Sequence, residues 1–241
     1  MKPELTTISD YVISYNKITD ETPFVVKEID AKDLLIPSRF DLSAKLYYID
    51  SYVTGKNQVL ATALYDAHIA AFQNGIIEEH GNRSKKGFEA YHLSLENLVD
   101  KFLSENYDGK MNYIPVDQNM RLLDGAHRTA CSIYFNQKVP VIIFPTIKTY
   151  NYDQKFFRKQ GLEKGYLDMM EYVFFTHKKM ISDCFSNDSE ARNHFGMDQK
   201  EAEGKIIVTK KELFRCRTIR FFRKYYTYMI ILIKKILRLP V

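Results

Sequence analysis

Cysteine is scarce in this chain: Cys131, Cys184 and Cys216 are the only three, and none lies in a C-x-x-C pair. That excludes the common zinc-ribbon spacings and points to a reducing compartment. His92, His177 and His194 form no metal-ligand spacing either, so no protein-held metal site is expected. The opening, MKPELTTISDYVIS, lacks the basic-then-apolar layout of a secretory signal. No internal repeat and no low-complexity tract is visible. Long apolar runs are missing too. The uncharged stretch Tyr225 to Ile233 is nine residues, well short of the ~20 that span a bilayer.

What is present is enough apolar matter for a core. Hydrophobic residues make up 45% and aromatics 14% of 241 residues. Acids are nearly missing from one end. From Lys205 onward eleven Lys and Arg face a single acid, Glu212, for a net +10. Of the total +5, that leaves −5 for residues 1–204. A mildly acidic body with a strongly basic tail implies a tail with its own anionic partner.

Residues 1–22 are polar and weakly patterned. Phe24 to Ile29 reads as a strand entered through Pro23. After Pro37-Ser38-Arg39-Phe40, Asp41 opens a helix with Leu42, Leu46, Ile49 and Val53 on one face, closed by Gly55. Val59 to Phe72 predicts a second helix, and Phe88, Tyr91, Leu95, Leu98 and Phe102 predict a third. Asn112 to Val116 reads as a strand. Asp117-Gln118-Asn119 is turn chemistry that would pair it with Leu122-Leu123 as a hairpin. Residues 146–204 predict two or three helices rich in Tyr and Phe, a lid or acceptor-binding extension. Loops are expected at Ser186-Asn187-Asp188 and at 201–204.

The most informative stretch is Met120 to Phe144. A short apolar run ends in Asp124-Gly125, a helical pattern runs from Ala126 to Tyr134, and a second apolar run covers Val139 to Phe144. Gly125 permits a tight turn that a side chain would hinder. The helix after it aims free N–H groups at whatever lies above the turn, a ready anion site. Leu123-Asp124-Gly125-Ala126-His127-Arg128, with Ala130 and Val139-Pro140-Val141, resembles the signature of the ParB/sulfiredoxin-like superfamily. In that group a Gly-x-His-Arg or Gly-x-Arg-Arg turn holds nucleotide phosphates, and its free serine kinases carry an Asp-Gly-His-His-Arg version. The strong likeness covers about 25 residues, with a weaker one over Val25 to Lys45. The pattern also looks like ParB-like proteins of surface-polysaccharide gene clusters.

The resemblance implies an α+β fold: a ParB/sulfiredoxin-like mixed sheet with packed helices over residues 1–145. The helical extension 146–204 and the basic tail 205–241 would follow it. The tail carries its own signal. On a helix at ~100° per residue, Arg217, Arg220, Arg223, Lys224, Lys234, Lys235 and Arg238 share roughly a third of the circumference. Ile219, Phe222, Tyr226, Met229, Ile230, Ile233 and Leu237 lie opposite. Such a helix is expected in the membrane interface, its cations toward acidic lipid phosphates. Packing on the body, or dimerisation with a second copy, is the alternative.

Among candidate site residues, Arg128 is unfavourable for the helix dipole where it stands, and a bound phosphate supplies a reason for it. His127 would donate to a phosphate oxygen, and the Gly125 and Ala126 backbone would cradle it. Asp124 would anchor Mg²⁺, orient His127 or cap the helix. In the superfamily's serine kinases an acid after the first strand acts as base toward the acceptor hydroxyl. Asp41 is the nearest acid here, at a different spacing, and as a plain N-cap it needs no such role. Arg39 and Lys45 would neutralise the transferred phosphoryl group. His68 and Glu79 would touch the acceptor. The opposite readings are a core histidine for His68 and a solvated loop for Glu78, Glu79 and His80. Cys131, inside the predicted helix, reads as a buried, inert thiol.

Sulfiredoxin chemistry is excluded, because Ala126 stands where that enzyme needs a nucleophilic Cys. DNA partition fits poorly: no helix-turn-helix pattern follows residue 145, and an acidic body repels DNA. The expected activity is a kinase: phosphoryl transfer from an Mg²⁺-bound nucleotide, ATP first, to a hydroxyl acceptor such as a lipid-linked saccharide. It would work as a peripheral enzyme on the cytoplasmic face of the membrane. The alternative is a non-catalytic, nucleotide-responsive module docked on a membrane complex.

Overall fold

The structure is a computed structural model, and it describes residues 2–73, 75–79, 82–104, 112–176 and 184–197. The predicted tail helix, His80, His177, Cys216 and the loop at 201–204 lie outside the described residues.

The chain is α+β. At its centre is a three-stranded mixed sheet in the order β1 (Val25–Asp30), β5 (Lys138–Phe144), β4 (Ile114–Asp117), where β2 (Glu78–Glu79) and β3 (Asn82–Lys86) form a separate hairpin. β1 runs antiparallel to β5, from Val25 opposite Ile143 to Asp30 opposite Lys138. β4 runs parallel to β5, from Ile114 opposite Val141 to Asp117 opposite Phe144. The connection from β4 to β5 is the helix α5 (Ala126–Tyr134), as a parallel pair requires a crossover. The turn, helix and following strand expected around Gly125 are present; the apolar run before Gly125 contributes only the bridge at Leu122, and the strand that feeds the crossover is β4.

Strand alternation divides the apolar residues of β5 between two clusters. Val139 and Val141 join the main core, whereas Ile142 and Phe144 pack with Leu5, Ile8, Val12 and Ile18. The N-terminal segment, weakly patterned in sequence, thus has a structural task. A 3₁₀ turn (Pro3–Thr7) and α1 (Asp10–Asn16) cover the second face of the sheet. Four apolar residues at uneven spacing suffice for that, so no long helical period is written there.

The main core is built around α2 (Asp41–Thr54), every residue of which from Asp41 to Ser51 is buried. α3 (Gln58–Phe72), α4 (Phe88–Leu103), α5 and α7 (Lys164–Thr176) pack on α2. Gly55 ends α2 at φ 72°, with its N–H bonded to the Ser51 carbonyl at 2.9 Å, the left-handed stop expected of a glycine there.

One expectation needs correction and two others gain detail. The hairpin expected after β4 is present in short form: Val116 bridges Leu122, the Leu123 amide bonds the Pro115 carbonyl at 2.8 Å and the Asp117 amide the Arg121 carbonyl at 2.9 Å, and the Asp117 side chain organises the turn. Its carboxylate accepts the amides of Asn119 and Arg121 and the Arg121 guanidinium, and the Thr149 amide besides. Burial alone would raise the Asp117 carboxyl, but these donors hold it below its ordinary range. Glu78 and Glu79 lie in the β2–β3 hairpin rather than in a loop. Ser186 and Asn187 form the expected loop, Asp188 already opens α8 (Asp188–His194), and the Asn187 side chain caps that helix by accepting the Glu190 amide at 3.0 Å.

α6 (Gln154–Lys159), α7 and α8 supply the helices expected after residue 146. Phe157, Leu162, Tyr166, Met169, Met170 and Val173 belong to the same buried cluster as Leu42, Leu46 and Ile49. Lifting α6 and α7 as a lid would open that shared core.

Candidate functional site

Arg39 and Asp41 flank the start of α2 and face each other in a fork. The guanidinium donates from Nε to Asp41 Oδ1 and from Nη2 to Oδ2, each at 2.8 Å, and from Nη1 to the Leu122 carbonyl at 2.9 Å. One turn along α2, Lys45 Nζ donates to Asp41 Oδ2 at 3.0 Å. Lys45 also lies 3.4 Å from His68 Nε2 on α3. An ammonium has donors only, so His68 accepts at Nε2 and carries its proton on Nδ1. Arg39 is 3% exposed, Lys45 4%, and Asp41 and His68 not at all. The Leu122 carbonyl joins this ionic network to the approach of the glycine turn.

A second network starts at His127, the second residue of α5. Its Nε2 lies 2.8 Å from the Tyr65 hydroxyl and its Nδ1 3.5 Å from Lys85 Nζ. By the same donor argument Nδ1 accepts from Lys85, so Nε2–H donates to Tyr65. Lys85 also pairs with Glu79 at 3.3 Å and sits 4.6 Å from the Tyr91 ring centroid. Tyr65 and His68 share α3, so the two networks lie side by side, and the charges of Lys45 and Asp41 are felt at His127.

The electrostatics follow from burial and these neighbours. Burial alone would raise the Asp41 carboxyl, but Arg39 and Lys45 overturn that and hold it far below the usual carboxylate range. Burial lowers Lys45 against the opposing pull of Asp41. Burial, then Lys45, holds His68 well below the ordinary imidazole value. Burial, then Lys85, does the same to His127. At neutral pH Asp41 is therefore held as a carboxylate, and His68 and His127 as neutral imidazoles. Burial pushes the Cys131 thiol up to about 12, which keeps it an unreactive core residue.

The turn itself is open on its donor side. Gly125 has φ 84° and Thr129 bonds back to its carbonyl through both N–H and Oγ1. The Gly125 amide is taken by Asp124 Oδ1 at 2.6 Å, and Asp124 Oδ2 accepts from Ser9 Oγ at 3.0 Å. The amides of Ala126, His127 and Arg128 bond to no other described residue, and no side chain caps α5. Arg128 curls back over the turn: a Cβ on Gly125 would meet its Nη2 at 3.0 Å. Its Nη1 bonds the Asn112 carbonyl at 3.3 Å.

The structure thus brings Arg39, Asp41, Lys45 and His68 together, and joins His127 to Glu79 through Lys85. Several expected roles change. Asp41 has both oxygens engaged and is a poor proton acceptor; the place it fits is as the anion that positions Arg39 and Lys45. The expected donation from His127 to a phosphate goes to Tyr65 instead. His68 is the core histidine of the two readings, packed 5.4 Å from the Phe157 ring. Glu79 pairs with Lys85 rather than standing free for an acceptor. Asp124 does not cap the helix; it ties the turn to the N-terminal segment. Lys85 and Tyr65 are functional candidates that sequence reasoning missed, for Lys85 sits in a polar run with no periodicity to mark it. His92, unassigned in sequence, bonds Asp66 at 2.6 Å.

Among the described residues no group of three or more His, Cys, Asp or Glu is arranged to hold a metal ion. No helix among them is long and apolar enough to cross a membrane. No protein-family model, no curated protein and no solved structure matches the chain.

Proposed function

We propose that this chain binds a nucleotide by its phosphates at the Asp124–Arg128 turn and transfers the terminal phosphoryl group to a hydroxyl acceptor. The observation that carries this reading is the set of three amides at the start of α5 that bond to no other described residue. The Arg128 guanidinium lies over the same turn, Arg39 reaches the Leu122 carbonyl at its approach, and Lys85 lies 3.5 Å from His127. Phosphoryl transfer needs mostly positioning and charge neutralisation, and amides at a helix start with fixed cations provide both. In the transfer, the acceptor oxygen bonds the terminal phosphorus as the bridging P–O bond breaks; the nucleoside diphosphate leaves, and the hydroxyl proton passes to solvent water. Asp124 is the carboxylate at the turn, so Mg²⁺ would arrive with the nucleotide and take at most that one side-chain ligand. The likeness of the turn to ParB/sulfiredoxin-like kinases supports the same reading. A lipid-linked saccharide acceptor, reached from the cytoplasmic membrane face through the basic tail, belongs to it as the more distant part.

Arg128→Ala tests the turn. Titration with Mg-ATP should show affinity reduced about tenfold or more, with the unfolding temperature unchanged, since among the described residues the side chain makes one hydrogen bond, at 3.3 Å. Unaltered ATP affinity would remove the phosphate-binding reading.

The engagement of both Asp41 oxygens favours a second reading, nucleotide binding without transfer. ATP binding with no ADP release across a panel of saccharide acceptors would select it.

A further inference from the structure

Three tyrosines among the described residues are exposed, and all three stand together. Tyr11 is 40% exposed, Tyr15 58% and Tyr150 64%. The Tyr11 and Tyr15 rings stack at 5.6 Å between centroids, and the hydroxyls of Tyr15 and Tyr150 lie 3.3 Å apart. Tyr150 continues to Tyr152 at 6.3 Å, and Tyr152 lies 5.5 Å from the Arg39 guanidinium. The cluster is anchored at both sides of the site. Ser9, the residue before α1, bonds Asp124 of the glycine turn, and the Tyr152 amide bonds the Ser38 carbonyl beside Arg39.

Folding does not require exposed rings here. The apolar work of α1 is done by Val12, which is buried against the sheet, and by the partly buried Ile13, while Tyr11 and Tyr15 look outward. Large aromatic faces gathered at the rim of a polar site mark a ligand surface.

We infer that Tyr11, Tyr15 and Tyr150 form a stacking platform for the base of the nucleotide whose phosphates lie on the Asp124–Arg128 turn. This rests on the phosphate reading above. The platform offers ring faces, and the hydroxyls of Tyr15 and Tyr150 bond each other. A flat base needs only such faces, because every base has a π-face and stacking tolerates any of them. A saccharide needs several directed hydrogen bonds to its hydroxyls, and the Tyr15–Tyr150 pair has already committed one of its two O–H donors. The platform therefore takes purines over pyrimidines by area, without a strict preference for one purine.

The test is calorimetric titration of the full chain with ATP, adenosine and inorganic tripolyphosphate, each with Mg²⁺, and with a neutral oligosaccharide. In the double variant Tyr11→Ala, Tyr150→Ala, ATP affinity should fall about tenfold or more. Tripolyphosphate affinity and the unfolding temperature should stay as in the unaltered chain. Tyr150→Phe, which keeps the ring, should bind ATP normally. ATP affinity unchanged in the double variant, or ATP and tripolyphosphate lost together, overturns the platform. So does loss of oligosaccharide binding with ATP unaffected. An unaltered chain that binds adenosine but not tripolyphosphate sinks the phosphate turn and keeps the platform. One that binds tripolyphosphate as tightly as ATP does the reverse.

Discussion

Asp41 holds the charge balance of the site. It faces two buried cations, and removing one partner of a buried ionic group leaves the others uncompensated, at about 3–5 kcal/mol. Asp41→Asn should lose stability of that order in urea denaturation at neutral pH. Adding Lys45→Met should restore part of it, a non-additive pair, because the second change removes one orphaned charge. Simple additivity would show that Asp41 and Lys45 are not coupled. The two neutral imidazoles give a separate pH signature. His68 and His127 are both lowered in the fold. Below the ordinary value of about 6.5, the unfolded chain takes up protons that the folded chain refuses. Stability should therefore decline as pH falls from about 6.5, with a limiting slope of about 1.4 kcal/mol per pH unit for each imidazole. The loss ends only when pH passes below the folded values. Asp41, also lowered, contributes stability that is present above about pH 4 and lost on further acidification. Urea midpoints that stay level between pH 8 and pH 5 would contradict this.

At the scale of elements, the turn and α5 form one device. Gly125 occupies the left-handed region, where an L side chain costs about 1–2 kcal/mol, and it also makes room for the Arg128 guanidinium. Gly55 shares the backbone conformation, but a Cβ there meets nothing within 4 Å. Gly125→Ala and Gly55→Ala should therefore destabilise the chain by similar small amounts in thermal unfolding. Only Gly125→Ala should also weaken ATP binding, by displacing Arg128. Equal ATP affinity in the two variants would separate Arg128 from the ligand. The N-terminal segment belongs to the same device: it covers Ile142 and Phe144 from one side and holds Asp124 through Ser9. The turn is thus braced by a segment more than a hundred residues away in sequence.

For the whole molecule the governing fact is charge asymmetry, −5 over residues 1–204 and +10 beyond. An acidic body is repelled by an acidic lipid surface while the tail is drawn to it. Attachment through the tail should weaken as salt rises, because exposed charges are screened beyond roughly 8–10 Å at physiological ionic strength. Full-length protein should float with phosphatidylserine vesicles at low salt and progressively less as salt increases. Protein ending at residue 204 should stay in solution. Equal flotation on neutral vesicles would point to apolar insertion or packing instead of electrostatic attachment.

Local rules in the sequence determined α2 from Asp41 with its stop at Gly55, α3, α4, the open helix start after Gly125, and the β5 run. Each is written within a few residues, as apolar period, capping chemistry or a glycine that permits positive φ. Asp41 and Lys45, one helical turn apart, were also legible as neighbours. Only the tertiary structure decided that they are buried, that the Leu122 carbonyl completes the Arg39 fork, and that Lys85 meets His127 across 42 residues. It also set the strand order and turned the N-terminal segment into the cover of the sheet. Those outcomes depend on which surfaces meet. A side chain's partners across long chain separations, and the desolvation that shifts its proton equilibrium, arise only when the core closes around it.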